Sequence, residues 1–152
     1  MYRLPMTIVA LTTLVVSLTW AQSPSPSAID TARSYLLALD NNELDVAGAL
    51  FADESSVFEN GGNEGSWSHY REHHLQPEVE AIVSFKTTLG EPNSTSSKDG
   101  SMAVVTWPIE YHIELTEDRS VDSKGVVTFV LVRKGEKFRI QHLHWSSRRQ
   151  KS

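Results

Sequence analysis

The first half of the chain carries its apolar residues at helical spacing. Between residues 29 and 39 they recur every three or four positions, which places them on one face of a first helix that ends near Asn41. Residues 44–51 repeat the pattern and predict a second, shorter helix, and residues 55–59 then predict a short strand. A loop over residues 60–65 should follow, because glycine and asparagine dominate that segment.

A third helix is predicted over residues 67–75. Ser66 is a suitable N-cap for it. The ring of Pro77 disfavours helical geometry in the residue before it, so the helix should end at this point. On its surface His74 shares a stripe with Tyr70, and that stripe should face the sheet.

The second half of the chain predicts a sheet. Four segments separated by turn-rich connections read as strands, over residues 79–89, 102–115, 121–132 and 138–145. In the second of them the odd-numbered residues, such as Trp107, are apolar and predict the core face of the sheet. Pro108 has no amide hydrogen to donate to a neighbouring strand, so it predicts a bulge or an edge.

The last predicted strand is partly apolar on both faces. Strict alternation places these residues on one face: Phe138, Ile140, His142 and His144. The other face carries Arg139, Gln141, Leu143 and Trp145. Such a strand is expected to be covered on both sides.

The residues of this strand and of the turn before it resemble a known superfamily. A Gly135-x-Lys137-Phe138 turn, followed by His142-x-His144 and a serine, is similar to the last strand of SnoaL-like and nuclear transport factor 2-like proteins. Within that superfamily, the residues of this turn and strand most resemble those of the association domain of calcium/calmodulin-dependent kinase II. The resemblance implies an α+β fold, a cone-shaped roll of three N-terminal helices on a curved, mostly antiparallel sheet. It also implies a pocket between the sheet and the third helix, and a homodimer formed through the outer surface of the sheet.

A small, mainly apolar molecule is the expected ligand of this pocket. The resemblance places the pocket-lining arginines of the kinase association domain at Phe129 and Trp145, and these apolar residues argue against a carboxylate held by arginine. The residues expected to bind the ligand are Trp67, Tyr70, His74, Trp107, Phe129, His142, His144 and Trp145. The sequence contains no phosphate loop or dinucleotide fingerprint, and no cofactor is predicted.

Six histidines leave two other functions open. His74 or a histidine of the sheet could be the general base of an isomerase, cyclase or dehydratase. His142 and His144 have the spacing by which a strand presents two nitrogens to one metal, and His74 with Glu78 would complete a periplasmic metal-binding site. A structural role is favoured for the pair, so no metal ligand is predicted.

The N-terminus predicts export, because Arg3 precedes a short apolar run and Ala21 offers a small residue for cleavage. The expected division is a signal peptide over 1–21, a flexible leader over 22–27, a SnoaL-like domain over 28–147 and a basic tail over 148–152. A periplasmic or secreted protein without stable membrane insertion follows. The formal net charge of −5 and the lack of a basic stripe argue against a nucleic-acid partner.

Overall fold

The computed structural model describes residues 26–116 and 119–151, so the predicted signal peptide and most of the leader lie outside the described residues. The helices are α1 (Ala28–Asp40), α2 (Leu44–Gly48), α3 (Trp67–Tyr70) and α4 (Gln76–Ala81), and a π-helical turn (Arg71–Leu75) joins the last two. The strands are β1 (Phe51–Glu59), β2 (Gly62–Gly65), β3 (Ile82–Leu89), β4 (Asn93–Ser96), β5 (Met102–Leu115), β6 (Arg119–Lys134) and β7 (Lys137–Arg149).

All of these strands belong to one sheet. Its order is β2-β1-β7-β6-β5-β3, and β4 pairs with β5 beside β3. The β1–β7 pair is parallel and the other pairs are antiparallel. Helix α1 packs on strands of this curved sheet, which does not close into a barrel. The predicted α+β architecture is therefore confirmed.

A capping box fixes the start of α1. The Ser27 hydroxyl accepts a hydrogen bond from the Asp30 amide at 3.1 Å, and the Asp30 carboxylate accepts one from the Ser27 amide at 2.9 Å. The Ser27 hydroxyl also donates to the Asp30 carboxylate at 2.7 Å, and this bond, with the one from the Ser27 amide, holds the pKa of Asp30 below its usual value. One face of the helix then buries Ala32, Tyr35 and Leu36 completely against the sheet. The spacing of apolar residues therefore predicted both the helix and its buried face.

Strand β5 supplies the core face that alternation predicted. Ala103, Val105, Trp107 and Ile109 are buried, and β5 pairs with β6 along its described length without a register shift. Pro108 lies between Thr106, the last partner of β4, and the first residue that pairs with β3. It therefore occupies a gap at the edge of the ladder, where its missing amide hydrogen leaves no acceptor unpaired.

The third helix does not end before Pro77, and this prediction was wrong. Helical geometry continues to the end of α4 because the turn ahead of the proline is a π-helix. The amide of Gln76 donates to the carbonyl of Arg71, five residues back. Pro77 then occupies the first turn of α4, a position where its missing amide hydrogen is tolerated. As a result β3 begins at Ile82 and not at residue 79.

A bulge in β7 overturns the strict alternation expected of that strand. Val130 of β6 pairs with His142, and the next residue, Leu131, pairs with Ile140. Gln141 is therefore an extra residue on β7, and the side-chain direction changes phase at this point. Its side-chain amide donates to the carbonyl of Glu54 in β1.

The faces after the bulge are the reverse of the prediction. Leu143 and Trp145 join Ile140 on the buried inner face of the sheet. His142 and His144 lie on the outer face, so the expectation that they share a face with Ile140 was wrong. The physical reason is the single inserted residue, which turns every later side chain to the other side.

Two predicted loops contain short strands, and the last strand is longer than expected. The predicted loop over residues 60–65 contains β2, which pairs with the end of β1, and the loop after β3 contains β4. Strand β7 continues to Arg149, where Arg148 and Arg149 pair with β6. The sheet thus extends two residues into the predicted basic tail.

Candidate functional site

A cavity of about 480 Å³ lies between the helices and the inner face of the sheet. This volume is within the range of sites that hold small molecules. Its lining is mostly apolar: Leu39, Leu44, Leu75, Val79, Ile82, Val83, Phe85, Tyr111, Ile113 and Trp145 contribute. The polar lining residues include Glu59 of β1, Tyr70 of α3 and Glu78 of α4. The cavity therefore combines an apolar body with one charged wall.

Glu59 and Tyr70 form the centre of the charged wall. The Tyr70 hydroxyl donates to Oε2 of Glu59 at 2.5 Å, and the tyrosine is only 3 % exposed. Burial is the main cause of a strongly raised pKa at Tyr70, and the charges of Tyr35 and Glu59 add to it. Tyr70 therefore stays protonated as a hydrogen-bond donor, and it fixes the position of the carboxylate at the end of β1.

His74 sits among three carboxylates. Its Nε2 lies 3.4 Å from Oε2 of Glu59 and 3.3 Å from Oε1 of Glu78, while its Nδ1 lies 3.5 Å from Oε2 of Glu64. The ring also contacts Tyr70, with the ring centroids 5.0 Å apart. The predicted inward direction of His74 is thus correct, and the imidazole links the two glutamates of the cavity wall.

Glu78 has a raised pKa. Burial is the largest cause, and the negative charges of Glu59 and Glu64 act in the same direction, while His74 opposes them. A carboxyl group of this kind takes up a proton at a higher pH than an ordinary glutamate does. The site therefore favours the protonated form of Glu78 more than solvent does.

Three aromatic side chains form the sheet side of the cavity. Phe85 lies 5.6 Å from Tyr111 and 6.5 Å from Trp145, and the rings of Tyr111 and Trp145 are 5.8 Å apart. The Tyr111 hydroxyl shares a hydrogen bond of 2.7 Å with the Ser147 hydroxyl, which orients that ring. These rings come from β3, β5 and β7, so the curvature of the sheet brings them together.

The predicted binding residues fall into three groups. Tyr70 and Trp145 line the cavity, and His74 contacts its wall. Trp67, Trp107 and Phe129 are buried in the hydrophobic core. His142 and His144 lie on the outer face of the sheet; the His142 ring shares a 2.8 Å hydrogen bond with Ser56.

The four-ligand metal site considered from the sequence does not form within this chain. His74 faces the inner side of the sheet, whereas His142 and His144 face the outer side, so their nitrogens cannot converge on one ion. Across residues 26–116 and 119–151, no group of three or more metal-ligating side chains has suitable geometry.

Sequence reasoning missed two carboxylates of the site. Glu59 is the last residue of β1, and Glu64 belongs to β2, which pairs with β1 through a tight turn at Asn60 and Gly61. Both torsion angles φ in this turn are positive, 48° and 91°. The Asn-Gly pair is a typical hairpin signal and could have identified the turn that brings the two acids together.

Comparison with known proteins gives the family. A family model for the SnoaL-like domain matches residues 29–149, which is most of the chain. The chain belongs to the SnoaL-like family. No curated protein matches this SnoaL-like sequence. Within the described residues, no helix is long and apolar enough to cross a membrane.

Solved structures with the same fold support this assignment. A nuclear transport factor 2-like superfamily protein from Salmonella enterica serovar Typhimurium LT2 superposes with a TM-score of 0.69 at 19% identity, covering 80% of this chain and 89% of the other. The hexachlorocyclohexane dehydrochlorinase LinA-type3 from Novosphingobium barchaimii LL02 gives 0.66 at 12% identity, covering 81% and 84%. At these identities the likeness concerns the fold alone.

Proposed function

We propose that this SnoaL-like domain binds a small, mainly apolar molecule in the cavity between its helices and sheet. The observation that carries the proposal is the cavity itself, whose lining combines apolar residues with polar groups such as Glu59 and Tyr70. Apolar burial supplies affinity in such a site, and a few fixed polar groups set the orientation of the ligand. Here the Tyr70–Glu59 pair is fixed by its own hydrogen bond, so the polar end of a ligand would meet a preorganised partner.

Binding of a neutral apolar dye tests this proposal. N-phenyl-1-naphthylamine fluoresces strongly only when it leaves water, and we expect one saturable site per chain. Ile113→Trp should abolish the signal, because Ile113 lines the cavity and the larger ring would fill it. Val46→Trp is the control, since Val46 is an exposed valine of α2 that does not line the cavity. Equal dye binding by the two variants would contradict the proposal.

An acid–base enzyme is the second candidate, and the raised pKa of Glu78 favours it. Glu78 lines the cavity and contacts His74, whose imidazole can donate a hydrogen bond. A base beside a hydrogen-bond donor is what removal of a proton next to a carbonyl requires. A dehydrochlorinase among the proteins of the same fold shows that this architecture can hold an elimination enzyme.

Hydrogen exchange on a probe ketone tests the enzymatic candidate. In this step Glu78 would take a proton from the carbon next to the carbonyl of 4-phenyl-2-butanone, and deuterium from heavy water would replace it. Proton NMR should show exchange faster than in buffer alone, and Glu78→Gln should return it to the buffer rate. If the unmodified protein gives exchange at the buffer rate, the enzymatic candidate is refuted and the proposal of ligand binding is unaffected.

A homodimer through the outer face of the sheet belongs to the same proposal. Met102, Val104 and Val126 on that face are between 38 % and 43 % exposed, an unusual density of apolar surface. Val104→Lys should convert the dimer to a monomer in sedimentation velocity. Val46→Lys is the control, because Val46 is a more exposed valine, on α2. A monomer before substitution would refute this assembly.

Export is proposed from the N-terminal segment alone. Its apolar run after Arg3 and the small residue Ala21 support cleavage by a signal peptidase. The exported protein should have the intact mass of a chain that begins at Gln22. A cell-associated species that retains Met1 would contradict the proposal.

A further inference from the structure

The charged wall of the cavity carries more negative than positive charge. Glu59, Glu64 and Glu78 surround the single imidazole of His74 at 3.3 to 3.5 Å. Three carboxylates therefore share one group that can carry at most one positive charge. Burial is the main cause of the raised pKa of Glu78, and the charges of Glu59 and Glu64 add to it.

The permanent cations nearest to this wall in the sequence and in the lining, Arg71 and Lys86, are directed elsewhere. Among the described lining residues the one with a permanent positive charge is Lys86. Its neighbour Phe85 points to the inner face, where it meets Tyr111, so alternation directs the Lys86 side chain outward. Arg71 follows Tyr70 in the helix, but its guanidinium binds Asp45 at 2.7 Å.

The aromatic part of the cavity lining is suited to the same kind of ligand. Phe85, Tyr111 and Trp145 bring three aromatic rings to the lining, each within 6.5 Å of the others. The faces of aromatic rings carry partial negative charge and attract organic cations. Rings and carboxylates belong to different elements, so they are two independent indications of one ligand chemistry.

From these two features we infer that the cavity of this protein selects an amphipathic amine, whose ammonium group meets Glu59 and Glu78 and whose apolar body packs on the aromatic rings. The inference rests on the proposed binding function and specifies its ligand class. The ammonium would donate hydrogen bonds to the carboxylates and restore the charge balance of the wall. A ligand carboxylate would meet repulsion at the same place.

Three probes of equal size and different charge test the inference. Phenylbutylamine, phenylbutanol and phenylbutanoate are titrated against the protein loaded with N-phenyl-1-naphthylamine at pH 7.5. We expect the amine to displace the dye at a concentration on the order of tenfold lower than the alcohol does. The carboxylate should be the weakest of the three. Equal displacement of the dye by the alcohol and the amine, or stronger displacement by the carboxylate, would overturn the inference. Neither result would contradict the binding of the dye itself.

Substitution of one carboxylate locates the source of the preference. Glu78→Gln keeps the shape of an exposed side chain and removes its charge, so the amine-to-alcohol ratio should fall about threefold. Glu110→Gln is the matched control, because Glu110 is exposed on the outer face of β5 and should leave the ratio unchanged. An equal fall in both variants would mean that the net charge of the protein causes the preference, and this would refute the inference. Failure of the dye to bind at all would instead refute the proposed binding function, on which this inference rests.

Discussion

Replacement of Trp107 by alanine should lower the free energy of unfolding more than a substitution at an exposed position does. The tryptophan is 1 % exposed and is the largest fully buried side chain of the described core. Truncation of a buried Trp removes transfer free energy and leaves a cavity, which together cost about 3–5 kcal/mol. Its Nε1 also donates to the carbonyl of Gly90 at 2.8 Å, and the loss of this partner adds about 1 kcal/mol. We therefore expect a total of about 4–6 kcal/mol.

Urea denaturation followed by far-ultraviolet circular dichroism measures this loss. Trp107→Phe keeps most of the apolar volume and loses the indole donor, so it should cost roughly half as much as the alanine variant. Val46→Ala at an exposed position of α2 is the control and should change the free energy of unfolding by less than about 0.5 kcal/mol. A Trp107→Ala variant as stable as this control would show that the buried face of β5 is assigned incorrectly.

Three other predictions follow from local contacts. Tyr70→Phe removes the hydrogen bond to the Glu59 carboxylate and should lower the free energy of unfolding by about 1.5–3 kcal/mol in urea melts; an unchanged melt would mean that water replaces the hydroxyl. Burial, with the charge of a neighbouring histidine, lowers the pKa of His142, so the unfolded chain binds more protons there and stability should fall as the pH drops below 6.5. His142→Gln should flatten that part of the stability curve, and a slope equal to that of the unmodified protein would exclude this histidine as its cause. Gly125→Ala places a methyl group against the backbone of Ser146 and should cost about 1–3 kcal/mol, measured as a lower urea midpoint; a midpoint within error of the parent would show that the strands can separate there at no cost.

Regular segments of the fold could be predicted from the sequence. The bounds predicted for β5 coincide with those observed, because alternation runs through it without an inserted residue and its apolar face is complete. The first helix was equally predictable, since Ser27 and Asp30 cap it locally. In both cases the information that decides the structure lies within the element itself.

The errors occur where a distant strand or an unusual turn decides the geometry. Pro77 marks the end of an ordinary α-helix, and only the π-helical turn before it allows the helix to continue. Gln141 has no sequence feature that sets it apart as a bulge; its pairing with β6 makes it one. Helical spacing was sufficient to predict that His74 faces the sheet. Its contacts with Glu59 and Glu64 could not be predicted in the same way, because the β1–β2 turn brings these residues together.

The bulge in β7 has a consequence for how this strand tolerates substitution. Along an ordinary half-buried strand, sensitive and permissive positions alternate one by one. Here the buried residues Ile140 and Leu143 are separated by two positions, Gln141 and His142, that are both only partly buried. A library that varies every residue of β7 should therefore record two adjacent permissive positions between two sensitive ones. Deletion of Gln141 should therefore be tolerated, because Ile140 and His142 already pair with neighbouring residues of β6 and the later side chains would keep their faces.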